Sequence, residues 1–406
     1  MNIIIFPKKL AGTVLSVPSE SEAHRKLICA ALSAEKMPLS TVRNVPFTEN
    51  VCATLDALKA IGADFEISGN SVLFHGFDAH GDVVIDCRDS KETLMLILPL
   101  VCCFEFVNAT FIGNETLVDE NLNSLIKLLS VQDIEFDYDG KMPFTVKGKY
   151  PSGECYAKSY LDISGLLLAL PHNETDSMIL VSNKDSSRVY PDMCADILRE
   201  AKILTAFANG IYIIRGGQKY SLLETEIGGD FLVASNFVVA NAISSNVRVS
   251  GLDATSPQPE KAIFEIIRKT QSSDCKAFSL DASDYIRLVP ILAVYACSLN
   301  GTSRISGIKT DFYDCTDLIE NTCNMINAVG GKAKAFTDAI EIEGVKKLKG
   351  GTIDADFDYK LVLAATTLAT MCSEPVVIEH GDSITKRYPT FFEDFRRLGG
   401  IADIEF

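Results

Sequence analysis

The chain has 406 residues, 38 basic against 54 acidic side chains and a formal charge of −16. That balance argues against a nucleic-acid or anionic-membrane surface, both of which need clustered Lys and Arg. Hydrophobic residues make up 47% and charged residues 23%, the composition of a globular protein, and the length predicts two or three domains.

The opening residues carry no basic segment ahead of their apolar stretch and no small-residue cleavage site, so the expectation is a cytoplasmic protein. The longest apolar run, near Leu94–Phe104, is well short of the ~20 residues that span a bilayer. Twelve cysteines are scattered, mostly within apolar segments. Without a Cys-x-x-Cys pair or a local Cys/His cluster, neither a metal site nor a disulfide framework is predicted.

Along the chain one pattern recurs: an amphipathic helix, a short break, then two short alternating strands. The first copy is Ala53–Gly76, the second Leu122–Gly148 and the third Met193–Gly217. A worn fourth begins near Ala262, the fifth is Leu318–Gly344, and the sixth runs from Phe391 to Phe406. Apolar residues at i, i+3 and i+4 give each helix one buried face. The strands alternate with period two around turns such as Ser68-Gly69-Asn70 and Asn209-Gly210. Nearly uncharged helices lie between copies, at Thr93–Phe104, Gly165–Leu170 and Leu288–Ser298, and are expected to be buried on most sides. The unit is a βαβαββ module of about 60–70 residues present six times, and three modules can enclose one core. An α/β protein of two similar halves follows. Residues 18–227 form the first, and residues 1–17 with 228–406 form the second. The hinge lies near 17–18 and 227–229, and a cleft between hinged halves suits small-molecule chemistry.

This organisation resembles the enolpyruvyl transferases, and local strings point to the EPSP synthase (3-phosphoshikimate 1-carboxyvinyltransferase) branch. Pro18-Ser19-Glu20-Ser21-Glu22-Ala23-His24-Arg25 is similar to its Pro-Ser-Lys-Ser-x-x-His-Arg signature. Residues 86–99 resemble the Gly-containing loop before a buried helix. Ser187-Arg188-Val189-Tyr190-Pro191-Asp192 resembles a Ser-x-Pro-Tyr-x-Asp segment, and Lys386-Arg387-Tyr388-Pro389 with Phe391–Gly400 resembles the C-terminal signature. The resemblance covers the whole chain in order. It implies two domains, each of three βαβαββ modules around buried helices, an inside-out α/β barrel. It also implies transfer of the enolpyruvyl group of phosphoenolpyruvate to shikimate 3-phosphate, in chorismate and aromatic amino-acid biosynthesis, by a monomer with no metal or cofactor. Arg and Lys suit the phosphates and carboxylates, and a carboxylate and a Lys suit the proton transfers.

On this resemblance Ser21, Arg25, Ser159, Ser187, Tyr190, Lys360 and Lys386 are the candidate substrate-binding residues. Ser21 fits an anion contact at a helix start or a plain N-cap. His24 is read as structural. The remaining positions depart. The signature Lys is Glu20. The loop Gly and the Ser or Thr after it are Lys91 and Glu92, and an Arg is Met95. A rim Arg aligns with Glu120 and a Gln with Leu161. The general-base Asp aligns with Arg287, whose guanidinium does not deprotonate in proteins. In the Lys-Glu-Ser-Asp-Arg string, Asp314 stands for Lys, Cys315 for Glu and Leu318 for Arg. The Asp-His-Arg string reads Asp358-Tyr359-Lys360. The balance moves toward negative charge in a pocket built for anions. Three readings stay open on the sequence: a working EPSP synthase; a non-catalytic relative that binds a ligand of the shikimate 3-phosphate type or a partner; and an enzyme with a different substrate.

Overall fold

The computed structural model describes residues 1–36, 39–79, 81–104, 107–130, 134–150, 153–181, 188–272, 276–309 and 317–405. The chain divides into two compact units, Pro18–Gly228 and Met1–Val17 with Gly229–Phe406.

The Pro18–Gly228 unit holds six helices among its described residues. They are α1 (Glu20–Ser33), α2 (Glu49–Ile61), α3 (Lys91–Val101), α4 (Glu120–Ser130), α5 (Tyr160–Ala169) and α6 (Val189–Glu200). Every residue of α1, α3 and α5 is buried, and these three pack on one another. The other three are amphipathic: α4, for example, buries Leu122, Leu125, Ile126 and Leu129, one stripe of a 3.6-residue period. Three four-stranded sheets accompany them. One runs Glu224–Glu226, Ser40–Arg43, Ser71–Phe77, Ala63–Ser68. The second is Gly81–Asp86, Val107–Ile112, Phe144–Lys147, Glu135–Asp137. The third is Glu154–Ala157, Ser177–Val181, Ile211–Ile214, Thr205–Ala208. In each, the first pair is parallel and the remaining pairs antiparallel. That is the outcome of a βαβ crossover followed by a hairpin.

The second unit repeats the plan with α7 (Phe231–Ile243), α8 (Ala262–Ser272), α9 (Val289–Cys297), α10 (Leu318–Ala328), α11 (Tyr359–Ala369) and α12 (Phe391–Arg397). Here α7, α9 and α11 are the mutually packed, largely buried set. Two modules depart from the βαβαββ plan. The fourth has a two-stranded sheet, Asn246–Ser250 beside Ala11–Leu15, and among the described residues no hairpin follows α8. The next strand, Ser279–Asp281, already belongs to the following sheet. The sixth has one strand after α12, and Asn2–Phe6 completes it: Ile3 pairs with both Ile378 and Ile404. Among the described residues no helix is long and apolar enough to cross a membrane.

Close approach fixes Gly165 on α5. A Cβ there would lie 2.4 Å from the Met95 carbonyl oxygen and 3.0 Å from Pro99 Cγ on α3. Gly165→Ala is expected to destabilise by about 1–3 kcal/mol through forced separation of the two helices, read as a lower urea midpoint at unchanged slope. His172 lies with its ring 4.9 Å from that of Phe104, and burial, the largest cause, holds its pKa below 6.5. The fold therefore favours the neutral ring. The stability this contributes is present above pH 6.5 and is lost as pH falls. His172→Gln is expected to lessen the acid-side loss in urea titrations, and NMR titration of the wild-type ring to give a midpoint under 6.5.

Candidate functional site

Helix α1 places five ionisable side chains in its first seven residues, all of them buried: Glu20, Glu22, His24, Arg25 and Lys26. A buried charge requires a partner, and the partners define the site in this unit. Glu22 Oε2 accepts from the Gly228 amide at 3.3 Å and lies 3.5 Å from Lys26 Nζ, which donates to the Glu226 carbonyl at 2.8 Å. Asn50 Nδ2 donates to Glu20 Oε2 at 3.5 Å.

Arg25 is 0% exposed. Its Nη1 donates to the Ser21 carbonyl at 2.7 Å and to Glu92 Oε1 at 3.3 Å, while Nη2 reaches Ser164 Oγ at 3.5 Å. The Ser21 hydroxyl donates to the same Glu92 oxygen at 3.2 Å. His24 Nε2 lies 3.8 Å from Glu92 Oε2, and its Nδ1 is 2.6 Å from Thr54 Oγ1. From Thr54 a buried chain continues to Thr93 at 2.7 Å and on to Ser90 Oγ at 2.7 Å. Glu92 sits in the first turn of α3, where the positive end of the helix favours a carboxylate. Ser21 and Arg25, the two residues expected to grip a phosphate, thus hold a carboxylate of the chain itself. The N-cap of α1 is Ser19, whose Oγ accepts from the Glu22 amide, so Ser21 is no cap.

The other expected positions of this unit fall into distinct environments. Lys91 is buried, donates to the Leu117 carbonyl at 2.6 Å and pairs with Asp119. Met95 and Leu161 are both 0% exposed and belong to the core. Glu120 is exposed at the start of α4. Tyr190 is buried with its ring 4.9 Å from that of Tyr160. Ser159 caps α5: its Oγ accepts from the Asp162 amide at 3.1 Å while Asp162 Oδ2 accepts from the Ser159 amide at 3.1 Å. Ser187 lies outside the described residues.

In the second unit a pocket of about 300 Å³ is lined by Asp317, Leu318, Asp356, Asp358, Tyr359 and Lys360 among others. Asp356 and Phe357 are both left-handed, at φ 46° and 57°, a costly pair for non-glycine residues. The turn is held by the Asp356 amide donating to Asp354 Oδ1 at 2.8 Å, by Asn321 Nδ2 donating to Asp356 at 3.0 Å, and by Phe357 against His380. Asp354 is held below the usual carboxylate range, first by that amide and then by His380. Lys360 is buried with Nζ 3.0 Å from Asp358, which caps α11. Arg287 is buried just ahead of α9. Burial pushes the Tyr359 phenol up to about 12, against the pull of Arg387, Arg287 and Lys360. Arg387 Nη1 donates to Tyr359 Oη at 2.8 Å with its guanidinium 4.7 Å from the ring. Lys386 is exposed in the preceding 3-10 segment. Asp314 and Cys315 lie outside the described residues.

Sequence reasoning missed Ser164 and Thr54, which nothing in the local pattern marks. It also missed Arg387, whose charge beside Lys386 was a usable signal. Among the described residues no group of three or more His, Cys, Asp or Glu side chains is placed to hold a metal ion.

Residues 5–395 match the family described as EPSP synthase (3-phosphoshikimate 1-carboxyvinyltransferase). The chain is 30% identical over 422 residues to a 3-phosphoshikimate 1-carboxyvinyltransferase of Clostridium perfringens, covering 98% of each. It is 31% identical over 433 residues to that of Clostridium novyi, covering 99% of this chain and 98% of the relative. Among solved structures, EPSP synthase from Acinetobacter baumannii superposes with a TM-score of 0.82 at 17% identity, covering 99% of this chain and 100% of the other. The enolpyruvyl transferase NikO from Streptomyces tendae gives 0.75 at 12% identity, covering 99% and 98%. At those identities the two structures speak for the fold.

The reciprocal cap makes a prediction about Ser159. Ser159→Ala and Asp162→Ala are each expected to lower stability by about 1 kcal/mol. The double variant should cost less than the sum, because both remove one box, and denaturant unfolding of the four-member cycle measures it.

Proposed function

We propose, from the premise that this chain belongs to the EPSP synthase family, that it carries out enolpyruvyl transfer from phosphoenolpyruvate to shikimate 3-phosphate weakly or not at all. The single observation behind this reading is the charge of the pocket around α10 and α11. Three carboxylates, Asp317, Asp356 and Asp358, line it, and its ammonium, Lys360, is already paired with Asp358. The substrates of the family reaction bring phosphates and carboxylates. A like charge at ~4 Å opposes binding by up to about 4 kcal/mol at an effective dielectric near 20. Micromolar affinity is about 8 kcal/mol in all.

The acid–base position supports the same reading. The resemblance gives the base as an Asp, and this chain has Arg287. A missing general base alone removes roughly 10²–10⁴ in rate. One feature of the Pro18–Gly228 unit favours a retained ligand over none: Ser21 and Arg25 remain as a basic, hydrogen-bonding pair. The ligand class this fits is a small phosphorylated metabolite of the shikimate 3-phosphate type. We propose that the protein meets it in the cytoplasm as a monomer, without metal or cofactor.

Phosphate release from phosphoenolpyruvate plus shikimate 3-phosphate tests the reading. Expected turnover is at least roughly 1,000-fold below the ~10 s⁻¹ of a median enzyme. Turnover at ordinary rates overturns it.

A further inference from the structure

We propose that Glu92 is a resident anion: its carboxylate occupies the oxyanion seat formed by Arg25 and Ser21, and a phosphorylated ligand binds there only by displacing it. The seat is defined by geometry alone. The proposed function contributes only the class of ligand, a phosphate monoester.

Three observations carry the proposal. First, Glu92 Oε1 takes hydrogen bonds from both the Arg25 guanidinium and the Ser21 hydroxyl, at 3.3 and 3.2 Å, while His24 Nε2 stands 3.8 Å from the other oxygen. A phosphate oxygen would use these same donors, since charge-assisted bonds from Arg and hydroxyls serve carboxylate and phosphate alike. Second, the seat lies at the first turns of two buried helices, α1 and α3, whose positive ends both favour negative charge. Third, Arg25 is wholly enclosed and its Nε has no hydrogen-bond partner among the described residues. Glu92 engages Nη1 and leaves Nε unused. The residue at position 92 decides occupancy. A Ser or Thr, as the family resemblance has there, offers a further donor to an incoming oxyanion. A Glu supplies the anion from within and repels a second one.

The experiment is titration with inorganic phosphate in phosphate-free buffer, by calorimetry and ³¹P NMR, with circular dichroism to establish folding. Wild type is expected to bind at least tenfold more weakly than Glu92→Ser, and adding Arg25→Gln to Glu92→Ser should abolish the gain. Equal affinity of wild type and a folded Glu92→Ser overturns the proposal, as does a gain that survives the loss of Arg25. Should Glu92→Ser not fold, Glu92→Gln keeps the size and removes the charge. Phosphate is then expected to raise its melting midpoint by several degrees while leaving wild type unmoved, and no such difference overturns the proposal. Brisk turnover by wild type would reject the proposed function and leave this binding comparison intact. Equal phosphate affinities would reject the role of Glu92 and leave the proposed function standing.

Discussion

A guanidinium cut off from water cannot shed its proton and cannot stand alone. Arg25 is in that condition on a helix buried at every residue, so the Pro18–Gly228 unit must place an anion beside it. Glu92 meets that requirement, and the local arrangement follows. The carboxylate ties the first turn of α3 to the first turn of α1 through Ser21 and Arg25. The threonine chain from His24 through Thr54 to Thr93 links α1, α2 and α3 by a second route. Breaking a buried pair by removing one member typically costs several kcal/mol, whereas the intact pair adds little over an apolar replacement. The pair therefore fixes which helix ends meet without being the source of the unit's stability.

The second unit resolves its charges in the same inward manner. Lys360 is held by Asp358, Arg387 by the Tyr359 phenol, and Asp356 by Asn321 in a left-handed turn. A site that waits for a ligand carries groups whose partners arrive with the substrate. Here partners for these groups are already present in the chain.

Repetition was readable in the sequence because burial leaves a periodic trace. Uncharged stretches such as Leu288–Ser298 and striped ones such as Leu122–Leu129 answer to two different positions in a module. The α1 helix escaped that logic. It is buried despite its charge density, because pairing across α3 and the strand ending at Glu226 substitutes for water. Such pairs join residues as much as 206 positions apart, and local pattern carries no information about them. The completion of the sixth sheet by Asn2–Phe6 is of the same kind. In the sequence, residues 1–17 were assignable to the second half, but the strands that Asn2–Phe6 would join were not. Resemblance to a family singled out Ser21, Arg25 and Glu92 without revealing that Glu92 would turn onto the other two.

The substitutions away from the family pattern divide by where the structure puts them. Met95, Leu161 and Leu318 stand where the resemblance implies polar or charged residues, and are buried at 0%, 0% and 3% exposure. Burying a side chain of that size contributes roughly 1.5–3 kcal/mol relative to leaving it exposed. Lys91 and Glu92 instead bring charges that the chain neutralises itself, against Asp119 and Arg25. At all of these positions the side chain satisfies the fold. A site whose donors are strained or unpaired is less stable than one whose donors are filled from within. Glu92 lies where that difference is largest, because the cation it satisfies is the most deeply enclosed one in the site.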